Sequence, residues 1–238
     1  MYVFPGKSLN VLVEFKLGED PASPSLAAYK VVDADGEVVG STPITIPQGA
    51  TQVWVTIDAS AHTLDPSLAY NQHRLEISYV INGLSFDNYM SYFVVPDLFL
   101  DYGIRNVRTL FGSTTMDLSD ENIDFYRSYI DLTSGALADA MVEALNGSDM
   151  QRKLAAKQLI FWHTMQTILP AVRMNMLKSV ESETSKMTRM SNSSNFDTLI
   201  TMIKDKYALY ASLVAATTAT SAPTLIVLDA PTDAITGA

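Results

Sequence analysis

The sequence predicts an α+β fold, with strands over residues 1–96, helices over 97–218 and an extended tail over 219–238. Three observations lead there. Hydrophobic residues alternate with period two before Pro96 and recur at spacings of three and four after it. The dipeptides Asp35-Gly36 and Asn82-Gly83 punctuate the first part as tight turns do. The last twenty residues are rich in Ala, Thr, Ser and Pro. With 238 residues, 47% hydrophobic and 18% charged, the chain can bury two cores without a disulfide or a metal.

In order, Leu9 to Phe15 alternates as a half-buried strand, and Ala28 to Val32 leads through Asp35-Gly36 to Glu37-Val38-Val39. Both central positions of that turn are expected at positive φ. Gln52 to Ile57 alternates again, and Arg74 to Val80 pairs with Phe86 to Val95 through Asn82-Gly83. About seven strands in so short a stretch predict an immunoglobulin-like β-sandwich over 1–96, of the disulfide-free kind.

Beyond Pro96, Asp97 or Asp101 is expected to cap a short helix through Val107, Leu110 and Phe111, stopped at Gly112. Ser119 should cap a long helix with Ile123, Tyr126, Ile130, Leu137, Met141 and Leu145 on one face, ended by Asn146-Gly147. A third helix from Ser148 or Asp149 carries Leu154, Phe161, Met165, Ile168 and Val172 on its inner face, with Pro170 kinking it or ending its regular part. Residues 179–195 show neither period and read as a long loop. A fourth helix repeats Phe196, Leu199, Ile203, Tyr207, Tyr210 and Val214. Together these predict a C-terminal α-helical bundle.

Charge is uneven. Residues 1–97 hold four basic side chains against eleven acidic ones, a field that repels nucleic-acid phosphates. Residues 151–190 reverse this, with seven basic against two acidic. A solvated helix face accounts for that excess; the sharper reading gives Arg173, Lys178, Lys186 and Arg189 to an acidic partner or to DNA backbone without sequence specificity. Cysteine is absent, which excludes disulfides and thiolate chemistry. No apolar run reaches the length of a membrane span, and no secretory signal is visible, so a protein made in a cytoplasm is expected.

Chemistry is hard to find. His62 and His73 fall in or beside polar turns, and His163 sits next to Trp162; none has a second histidine four residues away. Structural or solvated histidines are expected. Asp33 to Glu37 starts like a calcium loop, but Val38-Val39 follow where ligands belong. There is no G-x-S-x-G elbow and no phosphate-cradling glycine loop. Neither catalytic residues nor a metal or cofactor site is assigned. The apolar run Thr224, Leu225, Ile226, Val227 and Leu228 is β-prone and needs cover. It pairs either with an edge of its own sandwich or with a neighbouring subunit or partner.

Asn106-Val107-Arg108-Thr109-Leu110-Phe111-Gly112, followed by Asp117-Leu118-Ser119-Asp120-Glu121-Asn122-Ile123, resembles the head-to-tail connector (adaptor) proteins of tailed double-stranded DNA phages. The likeness covers about residues 97–218. The strand-rich region also looks like accessory sandwiches of virion proteins, at Gly6 to Val13 and Ile46 to Ala50, although simple connectors lack such a domain. The resemblance implies a ring of about twelve copies in the virion neck, docked beneath the portal protein, meeting a downstream tail or neck protein and extending the DNA channel. A loop and a C-terminal segment order on docking in such adaptors; residues 179–195 and 219–238 occupy those places. The competing reading is an attachment module of a fibre or baseplate. Its sandwich would bind a host-surface glycan or protein through loop aromatics such as Tyr70 or Tyr89.

Overall fold

Asn82 and Gly83 take left-handed φ values of 52° and 78°. Both central residues of the turn are therefore positive, the geometry whose twist matches two right-twisted strands. It joins β8 (Asn71–Ile81) to β9 (Leu84–Val94). The computed structural model describes residues 1–111, 118–180 and 193–216, with backbone alone at 174–180 and 193–196. From β8 the sheet continues antiparallel to β5 (Leu26–Val32) and β6 (Glu37–Pro43), while β1 (Tyr2–Val3) runs parallel along β9. A second sheet pairs β2 (Leu9–Glu14) with β7 (Gln52–Ile57), and β3 (Lys16–Leu17) with β4 (Asp20–Pro21) forms a small ribbon. The Asp35-Gly36 turn departs from expectation. Only Gly36 has positive φ there, and the Asp33 carboxylate holds the turn by accepting the Asp35 and Gly36 N–H groups.

Alternation decides what is buried. Leu9, Val11 and Val13 point inward on β2 while Asn10, Leu12 and Glu14 point out. Val11, Phe15, Val55 and Ile57 join Val31, Leu75, Ile77 and Val94 of the larger sheet in one core. Each such side chain contributes about 1.5–3 kcal/mol by leaving water.

The C-terminal part is helical: α1 (Ile104–Phe111), α2 (Phe125–Thr133), α3 (Ala138–Asn146), α4 (Met150–Val180) and α5 (Ser193–Ala215). Several helix expectations need correction. Neither Asp97 nor Asp101 caps α1. The first turn is held by the Gly103 N–H donating to Asn106 Oδ1, and Asp97 Oδ1 instead accepts the Phe99 N–H. The single helix expected from Ser119 to Leu145 is two. Ser119 precedes only a 3-10 turn and makes no side-chain cap; Asp124 caps α2 by accepting the Arg127 N–H at 2.8 Å. The break falls at Thr133-Ser134-Gly135. There the two hydroxyls turn back onto the Tyr129 and Ile130 carbonyls, and Gly135 weakens the helix further. Pro170 does not end α4. Pro170 is exposed, and the helix runs on past it to Val180. Leu154, expected inside, is half exposed; Phe161, Met165, Ile168 and Val172 are buried. Of the loop expected at 179–195, residues 181–192 lie outside the described residues, while 179–180 belong to α4 and 193–195 to α5.

Sheets and helices meet through buried contacts. Val95 and Leu98 share a core with Tyr129, Leu159 and Ile160. Tyr2 donates its hydroxyl to Asp124 Oδ2 at 2.6 Å and lies against the Tyr126 ring. Tyr129 donates to the Ala69 carbonyl at 2.6 Å, and Asn146 Nδ2 to that of Pro66 at 2.8 Å. Arg152 is buried. Its Nε donates to the Val214 carbonyl at the end of α5, and its guanidinium pairs with Glu143 of α3.

Candidate functional site: an apolar cleft between sheets and helices

The histidines come first, since they are the residue type that could do acid–base work. His62 and His73 are not solvated turn residues; each is 1% exposed, with the Tyr92 hydroxyl between them. His62 Nδ1 lies 2.5 Å from the Lys7 carbonyl and so carries the proton. Its Nε2 then accepts the Tyr92 hydroxyl at 3.1 Å. The phenol oxygen accepts from His73 Nδ1 at 3.2 Å, which leaves His73 Nε2 bare, 3.9 Å from Asp33 Oδ2. Alternating inward residues on β8 and β9 place His73 beside Tyr92 as a cross-strand pair. A relay sealed from solvent meets no substrate, and it reads as a polar clasp inside the sheet core.

Burial lowers the His73 pKa, against the pull of Asp33. Burial likewise lowers that of His163, whose ring lies 5.8 Å from Tyr207. Asp33 is pushed up by burial but held below the ordinary range by hydrogen bonds from Asn71, Asp35 and Gly36 and by His73. A histidine whose folded pKa is lowered adds stability above its unfolded pKa, about 6.5, and that stability is lost as pH falls through the folded value. The melting temperature should therefore be flat from pH 8 to 7 and fall steadily below about pH 6.5. A midpoint equal at pH 7 and pH 5 would contradict this assignment.

The recess shared by sheets and helices is different in kind. Among the described residues, a cleft of about 300 Å³ is floored by Leu64, Leu98, Tyr129 and Leu145, with Pro5, Pro66 and Pro96 stiffening its walls. Lys153 and Lys157 of α4 and Asp97 stand at its edge. Lys157 Nζ donates to the Phe99 carbonyl at 2.6 Å. Phe99 itself is 74% exposed and has φ of 44°, a left-handed conformation that a bulky side chain rarely adopts. Its strain is held by Asp97 on one side and Lys157 on the other. Leu68, Met150 and Leu154 add further exposed apolar surface, the last two one turn apart on the α4 stripe that carries Lys153 and Lys157. Phe99→Gly should raise the melting temperature by a few degrees, since glycine accepts this φ freely and the aromatic buries little. A lowered midpoint would show that the ring supports the fold.

Of the residues singled out by sequence, few are described. Arg173 is exposed near the described end of α4, and Lys178 lies on the same helix with its side chain undescribed. Lys186, Arg189 and Thr224 to Leu228 lie outside the described residues. Two members of the basic run, Arg152 and Lys157, are committed to Glu143 and to the Phe99 carbonyl. Tyr70 is no free loop aromatic: it packs against Phe93, and its hydroxyl bonds Ser134. Sequence reasoning missed Phe99, and no pattern marks a single left-handed phenylalanine. Among the described residues no three His, Asp or Glu side chains gather as metal ligands, and no helix is long and apolar enough to cross a membrane.

Comparison with protein-family models, with curated proteins and with solved structures found no match to this chain.

Proposed function

We propose that the chain is a structural protein of a phage virion, a head-to-tail connector whose copies form a ring beneath the portal, extend the DNA channel and join capsid to tail. Residues 1–96 would form an immunoglobulin-like sandwich displayed outward and 97–218 a helical bundle serving as the collar. The sandwich reading is supported by a core shared between a five-stranded and a two-stranded sheet. The observation that carries the connector reading is the exposed apolar pair Phe99 and Leu68, which line the cleft together with Lys153 and Lys157, with Met150 and Leu154 exposed on the same helix as the two lysines. Large apolar side chains exposed beside a cleft are the kind of surface that proteins use for contact. Repetition around a ring multiplies contacts that are weak singly. Arg173, Lys178, Lys186 and Arg189 would meet an acidic portal surface or DNA.

The test is the mass of the complex formed with portal rings. A portal-bound ring of copies, lost in Phe99→Asp and weakened by charge reversal at Arg173, Lys178 and Arg189, is expected; binding unmoved by every one of these changes would sink the reading. The attachment alternative has its own observation. Trp54 is 66% exposed beside Leu12 on the outer face of the β2–β7 sheet, and Tyr89 is 59% exposed beneath the Arg74 guanidinium. Trp54→Ala would abolish glycan-array binding if that alternative held.

A further inference from the structure

Strand β7 has one paired edge and one open one. It pairs with β2 in a single register, and just before its start the Thr51 carbonyl accepts the Phe15 N–H at 2.8 Å. Hydrogen-bonded pairs recur at every second residue of an antiparallel ladder, so Val13 with Val53, Val11 with Val55 and Leu9 with Ile57 carry the bonds. Gln52, Trp54 and Thr56 therefore turn their N–H and C=O groups away from β2. The Thr56 carbonyl agrees: it accepts the hydroxyl of Tyr29, a residue of the larger sheet, at 3.3 Å, and keeps a second lone pair. Among the described residues no other strand lies along this edge. Sheets normally protect such edges. On the larger sheet β1 is two residues long, and β6 ends at Pro43, which has no N–H, and is offset from β5 by register shifts. Strand β2 carries Glu14, tied to Lys16 at 3.1 Å. Strand β7 reads Gln-Val-Trp-Val-Thr-Ile, without charge, proline or bulge. On its outer face Trp54 is 66% exposed, directly opposite the exposed Leu12.

We propose that β7 pairs antiparallel with β7 of a second copy of this chain about a twofold axis at Trp54, making one four-stranded sheet, β2-β7-β7-β2. That register sets Trp54 against Trp54 of the partner subunit and Gln52 against Thr56 of the partner subunit. The open N–H and C=O groups of these residues then meet donor to acceptor. Leu12, Trp54, Trp54 of the partner subunit and Leu12 of the partner subunit form one apolar row across the outer face. The occupant is a second copy because the strand is its own complement. Residues 1–97 hold four basic against eleven acidic side chains, and this neutral stretch is where two such regions can meet without repulsion. Asp58, the nearest charge along the chain, falls opposite Ala50 of the partner subunit. The contact is isologous and closes on two copies. It uses a face that the ring of the connector reading leaves idle, and it stands or falls apart from that reading.

One strand pair is a small interface, so a dissociation constant of about 10–100 μM is expected. Sedimentation equilibrium of the full chain should give twice the 26.1 kDa of one copy at about 1 mM, and one copy at about 1 μM. Trp54→Glu, which sets like charges on the axis, should stay single across that range. Three results overturn the pairing: single copies of the unaltered chain throughout, a dimer that Trp54→Glu leaves intact, or open-ended association. Because the chain has no cysteine, crosslinking reads the register directly and serves if Trp54→Glu fails to fold. Chains carrying Gln52→Cys, mixed with chains carrying Thr56→Cys, should join by a disulfide on oxidation, since the paired residues stand about 5.5 Å apart. Chains carrying Gln52→Cys alone should crosslink at least about 10-fold more slowly, their sites lying about 14 Å apart along the strands. Equal rates, or no mixed disulfide, equally overturn it.

Discussion

Replacing Tyr92 with phenylalanine will destabilise the protein by about 2–5 kcal/mol, although it removes a single oxygen. That oxygen is shared: it donates to His62 Nε2 and accepts from His73 Nδ1, and both rings are 1% exposed. Without it, two buried polar atoms lose their partners and no water can reach them, at about 1–3 kcal/mol each. The melting temperature should drop by on the order of 10 °C, with the denaturant slope unchanged. A loss below about 1 kcal/mol would mean that the relay relaxes onto other partners and that its geometry matters little. Adding His62→Leu and His73→Leu to the Tyr92→Phe variant should recover part of the loss, because the unpaired ring nitrogens are then gone.

The second large effect lies in the helices. Leu159 on α4 is fully buried among α2, α3 and the junction residues Val95 and Leu98. Leu159→Ala should cost about 2–5 kcal/mol, since helices pinned by Arg152 and Tyr129 cannot collapse into the space. Chemical denaturation read at the tryptophans checks it. Trp162 lies in the helical core and Trp54 on the outer face of the β2–β7 sheet, so each reports one region. Coincident transitions would show that the junction couples them, and a helical transition moved alone would show that it does not.

What was legible in the sequence was local. Alternation along Leu9–Glu14 and the Asn82-Gly83 pair depend on neighbours one or two residues away, and both appear where expected. The helix break at Thr133-Ser134-Gly135 was written there too, but an unbroken apolar stripe from Ile123 to Leu145 masked it. Leu154 was misplaced for a related reason. A periodic face shows which residues align but not where the stripe's edge falls once neighbouring helices take their positions. The histidine relay joins residues 19 to 55 apart, and the cleft joins residues as distant as Pro5 and Lys157. No spacing rule reaches that far. Arg152 was counted as surface charge, whereas the fold uses it as a buried tie.

The most direct test of the connector account is whether, and where, the chain sits in a phage particle. A density map of the particle, with this chain tagged at its N-terminus, should place a closed ring of copies between portal and tail. The strand-rich parts should point outward and the helices should face the channel. Copies found on tail fibres or the baseplate, or missing from the particle, would contradict it.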